Sequence, residues 1–129
     1  MQVKQLVNYW LETAKHDFET MKSLYKTKRY SDCLFFGHII LEKVLKALVV
    51  QEIKKDAPRI HDLTRLLALT RFNLSEEEVD LLDQVNDFNI RCRYPEYKLS
   101  FYKKCTKEYT EAYLKRIVAL YKKLCQKTK

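Results

Sequence analysis

Leu34, His38, Leu41, Leu45 and Leu48 recur at spacings of four, three, four and three, the interval at which one face of an α-helix returns to the same side. Ile40, Val44 and Ala47 widen that stripe, leaving only the strip with Glu42, Lys43 and Lys46 for water. The pattern predicts the central helix of a bundle, capped at Ser31 or Asp32 and running to about Lys54. Glu42 and Lys46 stand one turn apart in the favoured acid-first order. A histidine at position 38 lies on the inner seam, where a polar group needs a partner.

Similar periodicity predicts four further helices. Val3, Val7, Trp10, Ala14, Met21 and Leu24 give a first amphipathic helix over Val3 to Lys26. Asp17 interrupts its seam; an unpaired buried carboxylate costs several kcal/mol. It therefore either meets a partner from another helix, with His38 and Lys46 the first candidates, or sits at a wet edge. Pro58 breaks the second helix, and His61-Asp62-Leu63 opens a short third with Leu63, Leu66, Leu67 and Phe72 inward. Ser75 and Glu78 form a capping-box signature for a fourth helix, with Val79, Leu82, Val85 or Asn86, and Ile90 inward. Pro95 should end it, because the residue before proline avoids helical geometry. A last long helix is predicted over Leu99 to Gln126, with Tyr102, Cys105, Tyr109, Ala112, Arg116 or Ile117, Leu120 and Leu124 inward. No segment alternates with period two, so the expected fold is all-α: an antiparallel up-and-down bundle of four long helices plus one short helix, one domain over residues 1–129.

Composition agrees with this and narrows the chemistry. One Gly and two Pro in 129 residues favour long helices. No apolar run approaches the roughly 20 residues of a membrane span, and the start lacks a signal-peptide segment, so a cytoplasmic location is expected. Cys33, Cys92, Cys105 and Cys125 are dispersed without a CxxC pair, which predicts reduced thiols and no metal site or cofactor. The net charge of +8 is concentrated in the lysine-rich last third, opposite an acidic run from Glu76 to Asp87. Such a field favours polyanions or an acidic protein partner, or simply keeps the surface solvated.

The segment Asp87 to Tyr97 is the strongest candidate for chemistry. Arg91, Arg93, Tyr94 and Tyr97 gather at a helix end beside Pro95. Guanidinium forks bind phosphates through paired charge-assisted hydrogen bonds, and tyrosine faces stack on bases. The competing reading has both arginines bonding terminal carbonyls and carboxylates such as Asp17 or Asp87. His38 reads first as a satisfied core group, His61 as a helix-start residue bonding backbone, and His16 as exposed. Asp17, His38, Glu42 and Lys46 are thus the candidate buried polar set. Tyr109, Tyr113 and Tyr121 on the last helix fit a self-complementary dimer surface.

Trp10, Ala14 and Asp17, Glu42 to Leu48, His61-Asp62-Leu63, and Asn86 with Arg93-Tyr94-Pro95 resemble, in that order, the pattern of HEPN domains. The resemblance implies a bundle of four or five helices, commonly homodimeric, and a minimal nucleotidyltransferase as partner in a toxin and antitoxin pair. Many members are metal-independent ribonucleases with an Arg-x4–6-His motif. Here the positions counted from Arg91 hold Glu96, Tyr97 and Lys98, and those from Arg93 hold Lys98, Leu99 and Ser100. The motif is absent, so nuclease activity does not carry over, while Arg91, Arg93 and Tyr94 carry over as phosphate or nucleotide contacts. The sequence therefore reads as a HEPN-type binding module engaging a nucleotidyltransferase, a nucleotide or RNA. Its rivals are a ribonuclease with an atypical site at Arg91, Arg93 and Tyr97, and a purely structural partner.

Overall fold

A computed structural model describes residues 1–128 of the chain. Six helices follow one another: α1 (Val3–Lys26), α2 (Tyr30–Ile53), α3 (Leu63–Ala68), α4 (Glu76–Arg93), α5 (Pro95–Lys104) and α6 (Lys107–Gln126). No strand occurs among the described residues. α2 is the hub, touching each of the other five helices. It buries fourteen of its twenty-four residues, including Leu34, Leu41, Leu45 and Leu48. α1 returns antiparallel along it, so that Asp17 meets Lys43 and Trp10 meets Lys46. The main core draws side chains from every helix, while Leu6, Val7, Ala47 and Val50 form a smaller cluster at the open end of the α1–α2 hairpin.

The local chemistry of each helix end explains the element boundaries. Ser75 caps α4 by accepting from the Glu78 N–H, and the Glu78 carboxylate accepts in return from the Ser75 N–H. Asp62 caps α3 through the N–H groups of Thr64 and Arg65. α2 begins one residue before the expected cap, with Arg29 at the N-cap position, and Asp32 falls instead in its first turn, 3.3 Å from Arg29 Nε. At α2's other end Lys54 takes a left-handed φ of 62° and returns its N–H to the Val50 carbonyl.

The expected last helix is two helices. Cys105 leaves helical geometry at ψ 71°, and Thr106 restarts the chain as a cap, its hydroxyl accepting from the Tyr109 N–H. Pro95 does not simply end α4: it stands in the first turn of α5, where a missing N–H costs nothing. This break rotates the inner face. Tyr102 and Ala112, expected inward, are exposed, as is Ile90 on α4, where Leu81, Leu82, Val85 and Phe88 do the packing. α5 buries Phe101 alone. The tyrosines expected at a dimer surface are spent within the chain: Tyr113 meets Phe88 edge-on at 5.0 Å, Tyr109 lies 5.0 Å from Tyr113, and Tyr121 stacks on Phe18 at 5.1 Å.

Gly37 lets α2 and α6 pack closely: a Cβ there would stand 2.9 Å from Ile117 Cδ1, so the tip of that side chain would have to shift. In α6 the fully buried Thr110 hydroxyl has no hydrogen-bond partner among the described residues. Thr110→Val should therefore raise the unfolding free energy by about 1 kcal/mol, since an unsatisfied hydroxyl is exchanged for a methyl of the same shape. Phe101→Ala should lower it by about 3–5 kcal/mol, whereas Leu99→Ala, 63% exposed on the same helix, should change it by less than about 0.5 kcal/mol. Urea unfolding of the three variants measures all of these; equal losses for Phe101→Ala and Leu99→Ala would contradict a single-anchor α5.

Candidate functional site

His38, Glu42 and Lys46 occupy successive turns of α2 and form a polar seam through an otherwise apolar surface. His38 is 2% exposed and Lys46 6%. His38 Nε2–H donates to the His61 carbonyl at 2.9 Å, while its Nδ1 lies 3.8 Å from Glu42 Oε1. Glu42 holds two donors: Lys46 Nζ at 3.0 Å on Oε2 and His61 Nδ1–H at 3.0 Å on Oε1. Lys46 also sits 5.1 Å from the centroid of the Trp10 ring, an attraction available to a cation excluded from water.

The loop entering α3 is fixed from both sides. Asn86 of α4 accepts from the Leu63 N–H at 2.9 Å and donates to Asp62 Oδ1 at 3.0 Å. Partial burial works against the Asp62 carboxylate. Its hydrogen bonds from Thr64, Arg65 and Asn86 outweigh that cost and hold its pKa below 3.8. His61 therefore has its backbone tied to α2, its neighbour tied to α4, and its ring oriented by Glu42. Its side chain is nonetheless 63% exposed. A carboxylate accepts only, so the contact assigns a proton to Nδ1; in the neutral ring the lone pair is then on Nε2. That is the geometry of an oriented general base.

Asp17 is not part of this seam. Neither His38 nor Lys46 is its partner; Lys43 Nζ donates to Asp17 Oδ2 at 2.5 Å, and His16 Nδ1 lies 3.4 Å from Oδ1. The reason lies in α2's register. Lys46 lies further along α1, against Trp10 and Glu42, and His38 turns toward the α3 loop, so Lys43 is the cation that reaches Asp17.

At the end of α4 the two arginines part company. Arg91 Nε donates to Asp87 Oδ2 at 2.6 Å, one turn back. Arg93 has no carboxylate partner among the described residues; it is exposed, and its charge is felt at His38. Tyr94 is the hinge between helices, with extended backbone at φ −95° and ψ 128°, and its carbonyl accepts from the N–H groups of Tyr97 and Lys98. Tyr94 and Tyr97 are about half exposed, at 52% and 49%. The structure thus sets Arg93, Tyr94 and Tyr97 on the surface at one turn of chain; Arg91 is partly withdrawn into an ion pair.

No group of three His, Cys, Asp or Glu side chains is arranged to hold a metal among the described residues. Burial pushes the thiols of Cys33, Cys92 and Cys105 up to about 12, so they remain protonated, and Cys92 donates to the Ser31 carbonyl. No helix is long and apolar enough to cross a membrane among the described residues.

A six-helix all-α bundle with a polar seam on its central helix and a bound His61-Asp62-Leu63 loop defines the class. The chain belongs to the HEPN domain family, which matches residues 7–127. Among solved structures it is similar to the protein TT1696 from Thermus thermophilus, at 19% identity and a TM-score of 0.77, over 93% of this chain and 96% of that one; at that identity the likeness is one of fold. No curated protein matches the chain.

The oriented His61 ring and the Asn86 link escape sequence reading because both are made across helices. The spacing of Glu42 four residues after His38 is the one local signal that a carboxylate stands near a histidine. Burial pushes the His38 imidazole below its ordinary 6.5. The Glu42 carboxylate and the His61 carbonyl pull it back, and His61 and Arg93 reinforce the lowering. An unfolded chain then takes up a proton that the folded ring refuses, and stability is lost as pH falls below about 6.5. Urea unfolding between about pH 8 and about pH 5 should show this slope in the wild type and a flatter one in His38→Gln; identical slopes would remove His38 as its source.

Proposed function

We propose that this chain is a HEPN-type binding module that holds the phosphate of a nucleotide or of RNA at Arg93. The carrying observation is that Arg93 stands exposed, without a carboxylate partner among the described residues, next in the chain to two half-exposed tyrosines. Its guanidinium is the group free to fork onto a phosphate, and the rings of Tyr94 and Tyr97 are the stacking surfaces for a base. Arg91, already 2.6 Å from Asp87, contributes field rather than a fork. The lysines of α5 and α6 add to the attraction for a polyanion.

The working form in this reading is a homodimer, paired with a minimal nucleotidyltransferase in a toxin and antitoxin system. Support for the dimer is the exposed apolar side chains Ile90, Leu99 and Tyr102 on α4 and α5, of the kind that self-association covers. Support for the partner is family membership alone.

A metal-independent ribonuclease is the second reading, favoured by the His61 ring, held by Glu42 through Nδ1 and 63% exposed. With Arg93 steadying phosphate, His61 would take the proton from an attacking 2′-hydroxyl as the new 2′-O–P bond displaces the 5′-oxygen, which leaves with a proton from water. Calorimetry with ATP and with a short single-stranded RNA should give saturable binding. In Arg93→Ala it should weaken roughly tenfold or more, and the salt slope for RNA should drop by about one. Arg91→Ala should weaken it less. Affinity unchanged in Arg93→Ala would end the binding-module reading. RNA cleavage without added metal, present in the wild type and lost in His61→Ala, would establish the ribonuclease instead.

A further inference from the structure

A second concave site lies at the far end of the bundle. Its lining includes Leu48, ten residues beyond His38 on α2 and so about 15 Å further along the helix. It is a cleft of about 380 Å³ between the first turns of α1, the last turns of α2, the α3–α4 loop and the residues after α6. That volume falls within the range of small-molecule sites. The floor is hydrocarbon: Val7 at 4% exposure and Leu48 at 1% are core residues, and Phe72 closes one side. The rim is cationic. Lys4, Lys54, Arg71 and Lys127 come from four separate segments, against a single carboxylate, Glu52. Arg71 Nε reaches that carboxylate only at 3.9 Å, with its side chain 68% exposed, and Lys127 rests 4.9 Å over the Phe72 ring. Three of the four cations thus have no acidic partner among the described residues of the cleft.

We infer that this cleft binds a small amphipathic carboxylate, its apolar body laid on Val7, Leu48 and Phe72 and its anionic head held by the lysine and arginine rim. The aliphatic floor gains by excluding water from a chain or ring. The rim gains by neutralising one negative charge, and a cationic or uncharged amphiphile forgoes that second contribution. The site shares no residue with the Arg93 corner, so occupancy of one does not block the other sterically.

Decanoate, below its micelle concentration, and decyltrimethylammonium are suitable probes, titrated into the full chain and followed by calorimetry. Decanoate should bind saturably at one per chain, and the cation at least about tenfold more weakly. Val3→Trp, at a half-buried lining position, should fill the cleft and remove binding. Arg71→Glu should weaken it by about tenfold or more without disturbing the core, and Lys54→Asn should weaken it while keeping a residue suited to the left-handed backbone. Equal affinity for the two probes, a Val3→Trp chain that folds and binds as well as wild type, or an absence of saturable binding would each overturn the assignment. Should Val3→Trp fail to fold, Arg71→Glu decides: unchanged decanoate affinity overturns it.

Discussion

A helix buried on nearly all sides imposes an unusual demand on its polar side chains. α2 is packed by α1, α3, α4, α5 and α6, so the polar groups on its inner seam are largely cut off from bulk water and must be satisfied by protein. His38, Glu42 and Lys46 meet that demand together: one carboxylate accepts from a lysine on its own helix and from a histidine of the next segment, and one buried imidazole donates to that segment's backbone. The demand has a second result. α3 spans only six residues, too short to hold itself, and the seam supplies the anchorage that its own length cannot. What satisfies α2 is also what places His61.

The parts legible in the sequence are those governed by short-range periodicity and caps. The inner face of α2 follows from the alternation of Leu34, His38, Leu41, Leu45 and Leu48, and the start of α4 from Ser75 and Glu78. The failures cluster where the phase of a helix is reset. A continuous helix from Leu99 would carry Tyr102 and Ala112 inward; the two-residue break at Cys105 and Thr106 turns them out and leaves Phe101, Cys105 and Ile117 inside. Thr106 followed by Glu108 in the first turn is a start signal of the kind that Ser75 and Glu78 provide, but it lies inside a run whose periodicity continues plausibly without it. Asp17 shows the other limit: the need for a cation from another helix follows from burial, while the choice of Lys43 depends on the rotation of α2 relative to α1, which no local pattern encodes.

The candidate site was legible in type and not in arrangement. Arginine and tyrosine at the end of α4 are visible as residues, but they look equivalent there. In the fold Arg91 falls one turn after Asp87 and is drawn to it, whereas Arg93 lies on a different face and is left to solvent. A phosphate approaching Arg91 must compete with a carboxylate already in contact; one approaching Arg93 has only water to displace. The same turn is where Tyr94 breaks helical geometry, so the exposed guanidinium and the exposed rings come from a single backbone event.

These relations determine which residues can report on function at all. His38 and Glu42 hold the α3 loop as well as His61, so removing either disturbs the bundle and the site at once, and a loss of activity there does not separate the two. Lys46 is similarly entangled through Trp10. The ring of His61 and the fork of Arg93 differ: both are exposed at their outward ends, and neither is packed in the core. The His61 backbone carbonyl keeps its inward contact whatever the side chain, so truncating His61 leaves the anchoring bond from His38 in place at the loss of one donor to Glu42, and truncating Arg93 breaks no ion pair among the described residues. In this bundle support and candidate function therefore meet in a single residue: the main chain of His61 accepts from His38, while its imidazole both satisfies Glu42 and stands exposed to solvent.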